Sequence, residues 1–177
     1  MAGMNMIFAG FGGQGILFTG KIVSYAGLID QKEVSWLPSY GPEMRGGTAN
    51  CSVCISDEPV GSPLVTEPDV LVAMNGPSFD KFIDTVKPGG KVFVDTSLVD
   101  RQTTREDVEV YGVPATQLSN EKDLQSLANM ILLGKVLKET AFASMETVEK
   151  SLAKCVPASK SHLLEPNLRA IQMGMEM

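Results

Sequence analysis

The sequence predicts an α/β fold: a Rossmann-like three-layer sandwich with a mostly parallel sheet and one antiparallel strand pair, in a single domain over residues 1–177. Three observations predict it. Apolar runs of strand length alternate with segments of helical period, the pattern of βα units. The first of those runs opens onto a glycine turn, IFAGFGGQGI (Ile7 to Ile16), that precedes a helix. Finally, 177 residues of which 44% are hydrophobic suffice for one good core and are too few for two.

The elements follow in order. Asn5 to Ala9 (NMIFA) is continuously apolar, as a strand buried on both faces must be. A helix is predicted over about Gly15 to Leu28, where Ile16, Leu17, Gly20 and Val23 recur at helical spacing. Glu33 to Leu37 reads as a second strand. After it, PSYGPEMRGG has no helical period and runs into the strand Thr48 to Ser56, so a loop joins these two strands and they pair antiparallel at a sheet edge. Asp69 to Met74 is a strand, Ser78 to Val86 a short helix stopped by Lys87-Pro88-Gly89-Gly90, and Lys91 to Asp95 and Val108 to Val113 are further strands. The remainder is helical: a long segment from Glu121 to Thr140, a short one from Met145 to Ala153 and a last one from Ser161 to Gly174. Within the long segment, Ser126 to Leu137 is apolar nearly all round, broken only by Asn129 and Lys135, so it is buried on more than one side. A second chain is the expected cover, with a central core helix as the alternative, and the Met-rich tail IQMGMEM points to the second chain.

Composition narrows the function. The balance of 15 Lys and Arg against 21 Asp and Glu, a net charge of -6 without a basic cluster, argues against nucleic acid. No apolar run approaches the ~20 residues of a membrane span, and the first residues lack the marks of a signal peptide, so no membrane partner and a cytoplasmic location are expected. Cys51 and Cys54 have CxxC spacing, yet in a strand residues three apart face opposite ways. With Cys155 far off and His162 the single histidine, no metal site is predicted. His162 reads as a surface or capping residue, and no nucleophile or metallohydrolase motif is present, so no catalytic residue is assigned.

Two clusters remain as candidate sites. Gly10, Gly12, Gly13, Gln14 and Gly15 form the glycine turn, with GxGxxG spacing between a strand and a helix whose first N–H groups favour an anion. A dinucleotide reader would add an acid at the end of the second strand, where this chain has VSWLPSY; Glu33 opens that strand instead. Gln14 places a long amide where a pyrophosphate would lie. NAD or FAD, another phosphate or acyl carrier, and a structural or partner-facing turn all stay open, the last leading. The second cluster is Tyr40, Gly41, Glu43, Arg45, Gly46 and Gly47, a glycine-hinged loop bearing Tyr and Arg, residues that interfaces favour.

In combination, GFGGQGI, SYGPEMRGGTANC, PDVLVAMN and KVFVDTS resemble the gamma subunit of the 2-oxoacid:ferredoxin (acceptor) oxidoreductases, and the resemblance covers essentially the whole chain. It implies a non-autonomous subunit of an oxidoreductase of the EC 1.2.7 type. That enzyme decarboxylates a 2-oxoacid oxidatively, passes electrons to ferredoxin and forms acyl-CoA. The resemblance implies that thiamine diphosphate, magnesium and iron-sulfur clusters belong to partner alpha, beta and delta subunits, that coenzyme A is a co-substrate, and that this chain alone binds no cofactor. It assigns both glycine clusters to shaping an interface near the active site, with contact to coenzyme A as a second role for the turn. Of the substrates, 2-oxoglutarate fits closest, with branched-chain 2-oxoacids or pyruvate as alternatives. A free-standing dinucleotide-binding oxidoreductase and a non-catalytic scaffold are the rival classes, and a homodimer is an option for the isolated chain.

Overall fold

The computed structural model describes residues 3–40, 48–124 and 126–177. Six strands form one sheet: β1 (Met4–Phe11), β2 (Glu33–Tyr40), β3 (Thr48–Ser56), β4 (Val70–Ala73), β5 (Lys91–Asp95) and β6 (Glu109–Val113), in the spatial order β2-β3-β1-β4-β5-β6. β3 runs antiparallel to both β2 and β1, and the pairs β1–β4, β4–β5 and β5–β6 are parallel. The expected antiparallel pair at the edge is therefore present. Its inner strand also inserts against β1, a second antiparallel pairing that the hydrophobic pattern does not encode.

Alternation along the strands builds two core layers. Met6, Phe8, Cys51, Val53, Val70, Val72 and Phe93 face one side, where they pack with α1 (Ile16–Ile29), α4 (Ala128–Thr140), α5 (Met145–Cys155) and α6 (Leu164–Met175). Ile7, Ala9, Cys54, Leu71, Val92 and Val94 face the other, covered by Phe79 of α2 (Gly76–Phe82) and by Ile83, Val65 and Val99. Cys51 and Cys54 thus lie on opposite faces, as a period of two requires.

Three boundaries differ from expectation, each for a physical reason. The segment from Glu121 to Thr140 is not one helix. α3 (Ala115–Glu121) ends first, and the chain turns through left-handed backbone at Asp123 (φ 56°) and Ser126 (φ 66°) before α4 begins. What anchors α3 separately is Asp95, fully buried at the end of β5, whose carboxylate accepts the Thr116 N–H (3.2 Å), the Thr116 hydroxyl and the Ser97 N–H (3.1 Å). That buried charge is saturated by donors, so it serves as a staple. At the other end, residues Ala158–Leu163 form a tight 3-10 turn and α6 starts at Leu164, with Pro166 in its first turn where no N–H is needed. β2 continues past Leu37 to Tyr40 because the β3 ladder carries it, and Pro38 is tolerated on an edge strand.

The apolar helix is α4, and its cover comes from this chain instead of a second one. Met130, Ile131, Leu132, Leu133 and Val136 are fully buried between the sheet and α6. α4 and α6 cross with their backbones in contact: a Cβ on Gly134 would strike the Ile171 carbonyl, and one on Gly174 the Ile131 carbonyl. Most of IQMGMEM, residues 171–175, is thus the packed end of α6. Replacing Gly134 by Val should force the helices apart and destabilise the chain by about 3 kcal/mol or prevent folding. Urea unfolding of the variant measures this, and an unchanged midpoint would show that the close approach is dispensable.

Cys51 supplies a pH-dependent test. Its thiol is fully buried under α1 with the Ile16 carbonyl 3.7 Å away, and burial pushes it up from the ordinary 9.0 to about 12. Above pH 9 the unfolded thiol loses a proton that the folded one keeps, so stability falls as pH rises toward 12. Cys51→Val should flatten that part of the stability profile relative to the unaltered chain, which denaturation between pH 8 and 11 checks; parallel profiles would refute the assignment.

Candidate functional site

The glycine turn sits at the carboxyl end of β1, beside the carboxyl end of β4. These parallel neighbours send their helices to opposite faces, α1 to one and α2 to the other. This is a topological switch point, where open α/β sheets form a crevice suited to ligands.

Local chemistry shapes the turn. Positive φ falls at Gly13 (95°) and Gly15 (76°), while Gly10 is still strand and is needed for space. A Cβ on Gly10 would come within 2.6 Å of the Gln14 side-chain oxygen. The Gln14 amide is engaged at both ends: Oε1 accepts the Phe11 N–H at 2.6 Å, and Nε2 donates to the Met74 carbonyl at 3.1 Å. It closes the turn on itself and ties β1 to β4 across the switch point. Both ends of the amide that the sequence offered to a pyrophosphate are spent on the protein's own backbone.

Gly15 caps α1 in left-handed backbone without a side-chain cap, and Leu127 before α4 is equally unable to cap. The two helix starts are joined by Asn129, whose Nδ2 donates to the Gly15 carbonyl (3.2 Å) and to the Thr19 hydroxyl (3.1 Å). Two uncapped starts side by side concentrate positive partial charge at one place.

Three cavities share Gly13 as a wall. One of about 260 Å³ lies between Phe11, Gly12, Gly15, Ile16, Phe18 and Ala49, over the start of α1. One of about 290 Å³ occupies the switch-point crevice, with Gln14, Met74, Leu98, Thr116, Asn120 and Ser126. The third, about 430 Å³, lies behind the turn against Phe18, Leu127, Asn129, Val156, Lys160 and Leu163. Phe11 and Leu98 stay exposed at this end of the molecule, 37% and 46%.

The structure brings Gly10, Gly12, Gly13, Gln14 and Gly15 together as one turn. Of the second cluster, the Tyr40 backbone ends β2 opposite Ala49, while Gly41, Glu43, Arg45, Gly46 and Gly47 lie outside the described residues. A dinucleotide reading loses its geometry here. β3 lies between β1 and β2, so the end of β2 is about 10 Å away, two strand spacings, instead of next to the turn. His162 is exposed in the 3-10 turn before α6, and no group of three or more potential metal ligands forms among the described residues. Asn129 is the residue that reading by motif missed; its signal was a lone amide in an otherwise apolar helix, a position where burial demands a partner.

Comparison with known proteins places this geometry. Residues 5–177 match the family model described as pyruvate ferredoxin/flavodoxin oxidoreductase. The chain is 41% identical over 172 residues to the 2-oxoglutarate synthase subunit KorC of Methanocaldococcus jannaschii, covering 96% of this chain and 90% of that one. It is 39% identical over 168 residues to the ketoisovalerate oxidoreductase subunit VorA of Methanothermobacter thermautotrophicus, matching 95% of this chain but 35% of that longer protein. Among solved structures it resembles the gamma subunit of a keto/oxoacid ferredoxin oxidoreductase from Geobacter sulfurreducens, with a TM-score of 0.86, 32% identity and 99% and 96% of the two chains covered. It also superposes on 31% of the 2-oxoglutarate:ferredoxin oxidoreductase of Magnetococcus marinus, with a TM-score of 0.88, 26% identity and 99% of this chain covered; that structure has 2-oxoglutarate, coenzyme A and succinyl-CoA bound. The chain belongs to the pyruvate ferredoxin/flavodoxin oxidoreductase family.

Proposed function

We propose that this chain is the gamma-type subunit of a 2-oxoacid:ferredoxin oxidoreductase that converts a 2-oxoacid and coenzyme A to acyl-CoA and CO2 while reducing ferredoxin, with 2-oxoglutarate as the favoured substrate. The observation that carries the reading is the family match along the chain, with relatives named as subunits of 2-oxoacid oxidoreductases. 2-Oxoglutarate is favoured by the KorC relatives, while ketoisovalerate and pyruvate remain the alternatives that other relatives name. We assign the thiamine diphosphate, magnesium and iron-sulfur clusters to partner alpha, beta and delta chains, and place the complex in the cytoplasm. No described helix is long and apolar enough to cross a membrane.

In this reading the chain contributes architecture to the reaction. The glycine-turn end of the sheet, with exposed Phe11 and Leu98, seats against partner chains together with the Tyr40 to Gly47 loop. The cavity over the start of α1, lined by Gly12, Gly13 and Gly15, suits an anionic group of coenzyme A, because the first residues of a helix without a side-chain cap line it. Gln14 acts indirectly, by fixing the shape of that turn. Loss of a non-polar seat or of the turn's shape would misplace the partner's reactive groups, and small misplacements cost orders of magnitude in rate.

Tagged protein should co-purify with thiamine- and iron-sulfur-containing chains and reduce a viologen dye in a 2-oxoacid- and coenzyme A-dependent way. Recovery as a lone inactive chain, or saturable NAD(P)H binding by it, would overturn the reading. Arg45→Glu should weaken assembly or turnover while leaving the far-ultraviolet circular dichroism unchanged; full activity refutes the role given to the loop. Gln14→Leu should release the Phe11 N–H and the Met74 carbonyl, with a loss of roughly 1–3 kcal/mol of local protection at the Phe11 amide. Hydrogen exchange measures it, and unaltered exchange would show that the amide does not hold the turn.

A further inference from the structure

α1 is apolar nearly all round, with Lys21 its single charged residue. A helix of that kind needs cover on more than one side. The sheet and α5 take Ile16, Ile22, Val23 and Ala26 into the core. The outer stripe, Leu17, Lys21, Tyr25 and Leu28 at helical spacing, stays open: Tyr25 and Leu28 are 36% and 55% exposed, and Leu17 and Lys21 are half-buried. Lys21 lies along this stripe, its ammonium 5.9 Å from the centre of the Tyr25 ring. α4, the other apolar helix, is sealed by α6, whereas nothing among the described residues seals the outside of α1.

α5 runs antiparallel beside α1 and makes the face two helices wide. The Ser151 hydroxyl donates to the Ile22 carbonyl at 2.6 Å and the Thr147 hydroxyl to the Asp30 carboxylate at 2.9 Å, so the two helices form one ledge. The exposed side of α5 carries its charges in order, Glu146 and Glu149 first, then Lys150 and Lys154. Within the chain Glu146 pairs with Lys150 at 2.6 Å, while Glu149 and Lys154 have no salt-bridge partner among the described residues.

We propose that this ledge binds a second copy of the chain about a two-fold axis, with α1 antiparallel on α1 and α5 antiparallel on α5. Such an axis sets a surface against itself, so the surface must be complementary to its own reverse. The ledge meets that condition on both helices. Reversal sets Leu28 against Leu17 of the second copy and brings Tyr25 over its Lys21. The same axis places Glu149 opposite Lys154 of the second copy, and Lys154 opposite its Glu149. Both registers hold at once, because the bond from Ser151 to Ile22 keeps the middle of α5 level with the middle of α1. Exposed ion pairs contribute little by themselves, so the apolar stripe supplies the affinity and the charges set the register. A ledge of 14 residues in α1 is about 21 Å long, the size of a small interface, and the dimer is accordingly a weak one.

Sedimentation velocity of the full chain without partners, over a range of micromolar concentrations, tests this and reads nothing that depends on the proposed enzyme function. A monomer–dimer equilibrium is expected. Leu28→Lys alters an exposed residue outside the core and should leave a monomer with unchanged circular dichroism. Glu149→Lys and Lys154→Glu should each weaken the dimer several-fold, and the double variant, which exchanges the signs, should restore it. A chain that stays monomeric throughout, a Leu28→Lys variant that still dimerises, or a double variant no tighter than the single ones would each overturn the proposal. Loss of partner chains from Leu28→Lys on co-purification, without loss of self-association, would overturn it too and give the face to another subunit.

Discussion

The contact on which the functional end of this molecule depends is the one between Gly15 and Asn129. Gly15 adopts left-handed backbone, and a Cβ there would collide with the Asn129 amide. With no side chain in the way, that amide reaches across and holds the starts of α1 and α4 together. Everything at the switch point follows from this. The two helices begin without side-chain caps at one place, the turn is held against the core, and three cavities are left around Gly13 instead of one solvent-filled gap. The glycine that looks at first like a phosphate signature is required here by packing between helices. Any anion-binding role is added on top of that requirement.

The sheet shows the same economy. By inserting β3 antiparallel between β2 and β1, the fold removes the second strand from the neighbourhood of the glycine turn and brings the hairpin into line with it. A dinucleotide needs an acid on the adjacent strand, and this topology has no such strand in reach. What it has instead is an end where the turn, exposed Phe11 and Leu98 and the end of β2 lie together, the end proposed above as the seat for other chains. α4, by contrast, is sealed by α6 through a glycine crossing that no side chain larger than hydrogen permits. The apolar helix is therefore core, and the surface we propose for association with other subunits is the glycine-turn end of the sheet.

Family membership and the α/β class were legible in the residues, because both rest on local signals. Strand runs, the glycine turn and the composition of the second glycine loop are each contained in a dozen residues or fewer. The candidate site was half legible. The turn residues were identified, but their roles were not: Gly10 is needed for space and not for conformation, and Gln14 faces inward. Asn129 lies 114 residues from Gly15 in sequence, so nothing local connects the two.

By itself the sequence determined where the six strands and most of the helices form, though not that α3 precedes α4 as a separate helix, and it determined which faces are apolar, that Cys51 and Cys54 part company, and that a tight turn opens α1. Those are consequences of period and backbone sterics, which act over a few residues. Only the tertiary structure decided that β3 separates β2 from β1, that α6 covers α4, and that the Gln14 and Asn129 amides find their partners across the fold. These depend on contacts between distant segments, whose geometry is set by the packing of whole layers and leaves no trace in the spacing of neighbouring residues.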